Sequence, residues 1–361
     1  MSPKRHVREM DDLDNRPLLV VEDLKTHFQT DHGIVQSVNG VSFTLERGRT
    51  LAVVGESGSG KSVLATSIMG LLPPHGVLRE GRVQFGDVEL SSASLNELRE
   101  LWGAQISIIF QDPATALNPV VRIGRQLTES LRFHLAMTRR DATETAIALL
   151  RSVGIPEPDQ RLRWYPHQFS GGMQQRIVIA IAIACGPKLL LADEPTTGLD
   201  VTVSAQILDL INRLQQERYM SVILVTHDLG VVTGRADDVI VMYAGRVVEK
   251  APTNVLFREM RMPYTEALLR SAPRLSNPSH THLHTIAGSP PDPINLPGGC
   301  SFAARCPYVQ PKCLAEMPPL RQAAESQHVF RCWYPVGTPE GQRALEDNQA
   351  RGVPTATGVT I

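Results

Sequence analysis

The sequence predicts an α/β fold built around a phosphate-binding loop. Residues Gly55–Ser62 read Gly-Glu-Ser-Gly-Ser-Gly-Lys-Ser, which fits the pattern G-x-x-x-x-G-K-[ST]. The apolar run Thr50–Val54 before the loop predicts a buried strand, and the Pro-free run Ser62–Leu72 after it predicts a helix. Further apolar strands end in polar residues, as parallel strands do where an open α/β sheet binds its ligand.

The residue types of the loop suit the binding of phosphate. Glycines let backbone N–H groups turn inward around phosphate oxygens, and the N-terminus of the following helix adds a partial positive charge. We expect Lys61 to reach the β- and γ-phosphates and Ser62 to offer its hydroxyl to Mg²⁺. The loop therefore predicts binding of a nucleoside triphosphate. Its predicted ATP-binding residues are Gly55, Glu56, Ser57, Gly58, Ser59, Gly60, Lys61 and Ser62.

Length and composition limit the function classes. The chain has 361 residues, which favours about two domains, and its 36 basic and 37 acidic residues give a net charge of −1. No whole-chain positive field therefore favours nucleic acid. Met1–Pro17 contains no apolar core of a secretory signal, and the longest apolar run, Ile177–Cys185, is far too short to span a bilayer. We expect a protein that is soluble or at most peripheral to a membrane.

Two further strands are predicted upstream of Thr50–Val54, over Leu18–Leu24 and Val38–Leu45, with a turn at 31–33 between them. Phe28 precedes this turn. Its ring could stack on a nucleotide base or pack in the core, and spacing alone does not separate the two.

Polar side chains follow later strands. Gln111 comes directly after the strand Ile106–Phe110, and His227 follows the strand Ser221–Thr226. A polar residue at the end of a parallel strand points into the ligand crevice, and a histidine there can sense a γ-phosphate. An ordinary loop amide is the alternative for Gln111.

The apolar strand at 188–192 ends in two adjacent carboxylates, Asp193 and Glu194. Asp193 suits a Mg²⁺ ligand, and Glu194 suits general-base work on the attacking water. A solvated acidic turn is the alternative, but four apolar residues directly before the pair argue against it.

Residues 124–184 predict a helical insertion with helices over Gln126–Ala136, Asp141–Val153 and Gly172–Cys185. Within it, Ser170 is a good N-cap, and a capped helix alone would explain it. Glycine has a low helix propensity, so capping does not explain the two glycines at 171 and 172. A second phosphate-binding helix N-terminus explains them better.

Together these residues resemble the nucleotide-binding domain of ABC transporters over roughly residues 18–258. The resemblance implies a P-loop NTPase fold with a RecA-like core, an antiparallel β subdomain and a helical insertion. It implies that Gly55–Ser62 is Walker A, that Gln111 is the Q-loop residue and that Asp193 and Glu194 end Walker B. It further implies roles for Ser170, Gly171 and Gly172 as the signature, Asp200 as the D-loop acid, His227 as the switch histidine, Phe28 as the adenine-stacking ring, and Ser62, Gln111 and Asp193 as Mg²⁺ ligands.

Two regions resemble the oligopeptide/dipeptide permease subfamily: the Q-loop region Gln111–Pro119 and the segment Pro263–Leu269 with the Cys-rich sequence after it. Two residues depart from the usual patterns. Met173 stands where the signature commonly has Gln, and Met262 stands where His usually precedes Pro-Tyr-Thr. The subfamily also contains importers of nickel, glutathione and other solutes, so the solute stays open.

Four cysteines at 300, 306, 313 and 332 follow the pattern C-x5-C-x6-C-x18-C. Zinc sites usually contain a tight C-x2-4-C pair, which is missing, and a [4Fe–4S] cluster also takes four thiolates with looser spacing. Members of the subfamily carry such a cluster in this extension. We therefore predict a [4Fe–4S] cluster on Cys300, Cys306, Cys313 and Cys332, with Zn²⁺ as the alternative and unliganded or disulfide-bonded cysteines after it. Cys185 is expected in the core.

These patterns divide the chain into a disordered leader (1–16), a nucleotide-binding domain (17–258, helical subdomain about 112–185), a Cys-containing extension (259–335) and a flexible tail (336–361).

The resemblance implies an ATPase subunit of a peptide importer at the cytoplasmic face of the inner membrane. ATP would bind between the Walker A of one domain and the signature of another, so a second ATPase subunit, two permease subunits and a solute-binding protein are the expected partners. One alternative is a soluble ABC ATPase of DNA repair or translation, but the chain has neither a coiled-coil insertion nor a second cassette. Another is a regulatory module whose metal centre senses iron or oxidants.

Overall fold

The computed structural model describes residues 16–271, 286–323 and 327–352, so the expected leader lies almost entirely outside the described residues. The strands are β1 (Leu19–Thr30), β2 (Gly33–Leu45), β3 (Thr50–Val54), β4 (Val77–Phe85), β5 (Val88–Glu89), β6 (Ile106–Ile109), β7 (Leu189–Asp193), β8 (Ser221–Thr226), β9 (Asp238–Tyr243), β10 (Arg246–Pro252), β11 (Arg321–Gln322) and β12 (Val329–Phe330).

The α-helices are α1 (Lys61–Met69), α2 (Leu95–Leu101), α3 (Pro113–Ala116), α4 (Ile123–His134), α5 (Arg139–Ser152), α6 (Pro158–Arg161), α7 (Gly171–Ala182), α8 (Val201–Arg218), α9 (Thr253–Glu259), α10 (Pro263–Ser271), α11 (Pro311–Ala315) and α12 (Pro339–Ala350). Among the described residues, none of these helices is both long and apolar enough to cross a bilayer.

The chain divides into two compact units. The carboxylate unit, which contains Asp193 and Glu194, comprises Met1–Val20, Thr44–Thr50 and Gln84–Val225. The phosphate-loop unit comprises Val21–Phe43, Leu51–Val83 and Thr226–Ile361. The segment from 259 onward, predicted as an extension, thus belongs to the same unit as the phosphate loop.

Parallel strands form the centre of the carboxylate unit. β7 pairs with β6 on one side, with Ile106 opposite Leu189, and with β8 on the other, with Leu189 opposite Ser221. Every residue of β7 is buried, as expected for a parallel strand covered on both faces. Because parallel strands end at one edge, this pairing brings the ends of β6 and β7 together.

The predicted helical insertion is present in the carboxylate unit. In α4, Ile123, Leu127 and Leu131 are fully buried, and this spacing of four residues forms one apolar stripe. The Arg176 side chain of α7 donates from Nη1 to the carbonyl of Val153 at 2.8 Å, which ties α7 to the end of α5.

Strand pairing in the phosphate-loop unit is of both kinds. β3 pairs in parallel with β9, with Leu51 opposite Asp238. β9, β10, β12 and β11 continue in that order with antiparallel pairing. A second sheet has the order β2–β1–β4. The last two residues of β4, Gln84 and Phe85, belong to the carboxylate unit and pair with β5 within that unit. The antiparallel β subdomain implied by the resemblance matches this second sheet.

The tail predicted from residue 336 is wrong for Pro339–Ala350, which form α12. Thr338 caps this helix by accepting from the N–H of Gly341 at 3.1 Å. The helix is fixed by Asn348, whose Nδ2 donates to the carbonyls of Pro307 and Val309 at 2.9 Å each. Residues 353–361 lie outside the described residues.

A buried carboxylate links β10, β12 and the start of α10. Glu249 and His328 are both fully buried, and their Oε1 and Nε2 atoms lie 2.7 Å apart. The carboxylate also accepts from the backbone N–H groups of Arg261 and Met262. A buried charge with this many donors around it is costly to remove.

We expect Glu249→Ala to lower the free energy of unfolding by about 3–5 kcal/mol, since the His328 ring and the N–H groups of Arg261 and Met262 all lose their partner. Urea unfolding of the full chain followed by circular dichroism measures this. The matched control is Glu259→Ala, which removes a half-exposed carboxylate of α9. Equal stability of the two variants would show that the buried carboxylate is dispensable.

Candidate functional site

The phosphate loop joins β3 to α1 in the way that the sequence predicts. The Lys61 side chain is buried, and its Nζ donates to the carbonyls of Gly55 at 2.8 Å and Glu56 at 2.9 Å. The first turn of α1 follows the loop directly. Lys61 therefore binds the start of its own loop. Its positive charge lies at the N-terminus of α1, and both favour the binding of an anion there.

Two glycines of the loop are required for steric reasons. Gly60 has a φ of 99°, and a Cβ there would lie 2.0 Å from the carbonyl oxygen of Ser37. A Cβ on Gly55 would lie 2.3 Å from the carbonyl oxygen of Met242. The loop thus packs directly against the backbone of β2 and β9, and neither position admits a side chain.

We expect Gly60→Ala to weaken MgATP binding by about tenfold or more, because the methyl group displaces the loop from β2 and strains a left-handed backbone. Binding of a fluorescent ATP analogue measures the effect. Gly86→Ala is the control, since Gly86 also has a positive φ (53°) but no atom within 4 Å of its Cβ position. Equal affinities would contradict the steric argument.

The carboxylate unit places three predicted residues together. Asp193 is buried at the end of β7, and Glu194 follows it with a φ of 44°. The Glu194 N–H donates to the carbonyl of Val225 at 3.0 Å. Its Oε2 accepts from Gln111 Nε2 at 3.2 Å and from Thr197 Oγ1 at 3.1 Å.

Thr197 also contacts Glu194, although it was not predicted from the sequence as a site residue. Its position three residues after Glu194 was the available signal, since a side chain at that spacing in a turn can reach back. The left-handed backbone of Glu194 is uncommon for a residue with a side chain, and such strain concentrates at functional sites. An amide donor and a hydroxyl donor thus hold the same oxygen of the Glu194 carboxylate, Oε2.

The signature residues begin α7 as predicted. Ser170 is the N-cap, although its side chain makes no capping hydrogen bond. A Cβ on Gly172 would lie 2.7 Å from Cγ1 of Val203 in α8, so close packing of two helices also requires this glycine. Asp200 caps α8 by accepting from the Val203 N–H at 2.9 Å. Gly172 and Asp200 therefore each have a structural role in addition to the predicted contact with a partner's ATP.

Phe28 and His227 are the two remaining residues that were predicted to contact the nucleotide. Phe28 is half-buried near the end of β1, and His227 is exposed directly after β8. Neither position decides between a structural and a nucleotide-binding role, so both stay predictions.

The prediction of an iron–sulfur cluster, and of zinc as its alternative, is wrong. The described residues contain no group of three or more His, Cys, Asp or Glu side chains that could hold a metal ion. Cys300, Cys306, Cys313 and Cys332 border one small cavity, but each is a free thiol. Burial raises the pKa of all four thiols, for Cys332 to about 12.

Cys185 lies half-buried after α7, with its Sγ 3.6 Å from the carbonyl of Ser130. Burial raises its pKa as well, in keeping with the structural role expected of it.

A phosphate loop in one unit and a strand-end Asp-Glu pair with a Ser-Gly-Gly helix start in the other are the features of an ATP-binding-cassette ATPase. The sequence matches the ABC transporter family over residues 38–197 and the family of the oligopeptide/dipeptide transporter C-terminal region over residues 248–313. The chain belongs to the ABC transporter ATP-binding proteins, in the branch that carries this C-terminal region.

Relatives share most of the chain. It is 50% identical over 317 residues to the dipeptide transport ATP-binding protein DppD of Bacillus subtilis, covering 88% of this chain and 94% of that protein. It is 47% identical over 319 residues to the oligopeptide transport ATP-binding protein OppD of Salmonella typhimurium, with 88% and 94% covered.

Solved structures share the cassette. The ATP-binding cassette MJ0796, in a dimeric post-hydrolysis state bound to ADP and Pi, has a TM-score of 0.59 at 26% identity, covering 65% of this chain and 98% of that one. The protein cbiO1 of Clostridium perfringens, part of an ABC transporter complex, has a TM-score of 0.57 at 28% identity, with 67% and 91% covered. These comparisons confirm the predicted cassette fold and the ABC ATPase family.

Proposed function

We propose that this chain hydrolyses ATP to drive an importer of peptides or related small solutes. The observation that carries the proposal is the Glu194 carboxylate, fixed by Gln111 and Thr197 at the end of a buried parallel strand. The two transport relatives named above, both ATP-binding proteins of peptide transport, support the peptide class.

The loop suits the triphosphate. Lys61 and the N–H groups at the start of α1 bind the β- and γ-phosphates, and the buried Ser59 Oγ, which has no hydrogen-bond partner among the described residues, can donate to a phosphate oxygen. Phe28 stacks on the adenine. These contacts fix the nucleotide before any bond is broken.

The donors assigned to magnesium also suit that ion. Ser62, Gln111 and Asp193 offer hydroxyl, amide and carboxylate oxygens, which are the hard ligands that Mg²⁺ prefers. When bound, the ion neutralises charge on the phosphate oxygens. Of these three residues, Asp193 is buried at the end of β7 and supplies the carboxylate.

Hydrolysis needs a base for the attacking water. Glu194 accepts the proton of that water, Gln111 and Thr197 hold its carboxylate in place, and His227 contacts the γ-phosphate. Ser170, Gly171, Gly172 and Asp200 serve the ATP of a second ATPase subunit.

We further propose the rest of the assembly: two permease subunits, a solute-binding protein and a position on the cytoplasmic face of the inner membrane, with no nucleic-acid partner. The dimeric state of MJ0796, a cassette of similar fold, supports the pairing of two ATPase domains.

Uptake of labelled di- and oligopeptides into proteoliposomes that contain the complete transporter tests the proposal. We expect ATP-dependent peptide uptake. Uptake of nickel or glutathione without uptake of any of the labelled di- and oligopeptides would overturn the peptide class and leave the ATPase assignment standing.

A further inference from the structure

The C-terminal extension holds the one acidic residue of the phosphate loop. Arg305 donates from Nη1 to Glu56 Oε2 at 2.6 Å and from Nη2 to Glu56 Oε1 at 2.9 Å. The Arg305 side chain is 3% exposed and that of Glu56 is 24% exposed. The two side chains thus form a bidentate ion pair that is largely buried, which is the strongest geometry for an arginine–carboxylate contact.

Arg305 is itself fixed by its surroundings. Its Nε donates to the carbonyl of Ala287 at 2.8 Å, its Nη2 to that of Ile286 at 3.0 Å and its Nη1 to Tyr243 Oη at 3.2 Å. The guanidinium also lies 5.8 Å from the centre of the Phe302 ring. An arginine held by this many partners presents its charge to Glu56 in one geometry.

A second contact holds the backbone of the same residue. The N–H of Glu56 donates to Tyr264 Oη at 2.7 Å. Tyr264, from the start of α10, is fully buried, and its ring centre lies 4.5 Å from that of Tyr243 and 5.3 Å from that of Phe302. Both the side chain and the main chain of Glu56 are thus bound by residues of the extension or by the aromatic cluster around it.

A carboxylate in an anion-binding loop works against the function of the loop. An ionised Glu56 repels a triphosphate, and where water is partly excluded such a repulsion is poorly screened. The Arg305 guanidinium neutralises this charge and holds the carboxylate toward the extension. The pair therefore removes an electrostatic penalty and fixes the first turn of the loop at the same time.

We propose that Arg305 and Tyr264 are positioning residues for ATP, through which the extension neutralises Glu56 and keeps the phosphate loop in its binding conformation. The inference rests on the proposed ATP binding by this loop. It assigns the extension a part in the nucleotide site, in addition to any part it has in assembly.

The test is the affinity of the full chain for a fluorescent ATP analogue with Mg²⁺. We expect Arg305→Ala to weaken binding by about tenfold, since it leaves Glu56 charged and unpaired beside the phosphates. Arg305→Lys keeps the charge but loses the two-pronged geometry, so its loss is smaller. In the Arg305→Ala background, Glu56→Gln removes the uncompensated charge and restores most of the affinity.

Arg343→Ala is the matched control, because that guanidinium is 72% exposed and pairs with Glu340 on its own helix. Thermal unfolding checks that each variant folds. If Arg305→Ala does not fold, the affinity for the ATP analogue is measured with Arg305→Lys and Tyr264→Phe instead. Wild-type affinity in both variants would overturn the proposal.

Unchanged affinity of a folded Arg305→Ala variant would overturn the positioning role, and a double variant as weak as Arg305→Ala would overturn the neutralisation of Glu56. Failure of the proposed function looks different: the unaltered chain would then not bind ATP, or would bind it equally well after Lys61→Ala.

Discussion

Replacing Glu194 with Gln is expected to lower ATP turnover by about 10²–10⁴-fold while MgATP binding is retained. The amide has the shape of the carboxylate and can still be held by Gln111 and Thr197, but it cannot take the proton of the attacking water. Phosphate release by the assembled complex measures turnover, and trapping of the ATP-bound ATPase dimer measures binding.

The partner subunit's own site must be silenced first, because it would otherwise hide the loss. Thr197→Val is the matched second variant. It leaves the carboxylate and removes only one of its donors, so we expect a smaller reduction. Full residual hydrolysis by Glu194→Gln with the partner's site silenced would exclude Glu194 as the base.

Replacing Lys61 with Ala is expected to weaken MgATP binding by about 10²-fold, because the loop loses its buried cation and the charge-assisted hydrogen bonds to phosphate. The change also removes the two hydrogen bonds by which Lys61 holds the loop carbonyls of Gly55 and Glu56. Titration of the full chain with a fluorescent ATP analogue measures the affinity.

The matched control is Lys188→Ala, which removes an exposed lysine hydrogen-bonded to Gln105 in the carboxylate unit. We expect its affinity to equal that of the unaltered chain. An affinity of Lys61→Ala close to that of Lys188→Ala would mean that the loop is not the phosphate site.

The sequence was most informative where chemistry and local order coincide. Thr50–Val54 is the strand predicted before the loop, and the loop leads directly into α1. The meeting of Gln111 with Glu194 was foreseeable, because the ends of adjacent parallel strands share an edge. The strand and the loop depend on short segments whose pattern determines their structure, and the contact of Gln111 with Glu194 follows from the general geometry of parallel sheets.

Contacts that depend on how the side chains of distant segments pack could not be predicted. Arg305 and Glu56 are 249 residues apart, and no local pattern indicates that they meet. The close approach of Gly172 to Val203 likewise depends on how two helices pack. The cysteine pattern misled for the same reason, since spacing gives the number of thiols but neither their geometry nor their protonation.

Helix α12 was wrongly predicted as part of a flexible tail, although its sequence contains signals of a helix. Thr338 and Pro339 form a helix start, and the buried residues Gly341, Ala344 and Asn348 recur at helical spacing.

Peptide-stimulated ATP hydrolysis is the measurement that best tests whether this chain powers a peptide importer through Glu194. The complete transporter is reconstituted in lipid with its solute-binding protein, and phosphate release is measured with and without peptide. We expect peptide to raise hydrolysis, and Glu194→Gln, with the partner's site silenced, to abolish it. Hydrolysis that is independent of both peptide and Glu194 would show that this chain does not have that role.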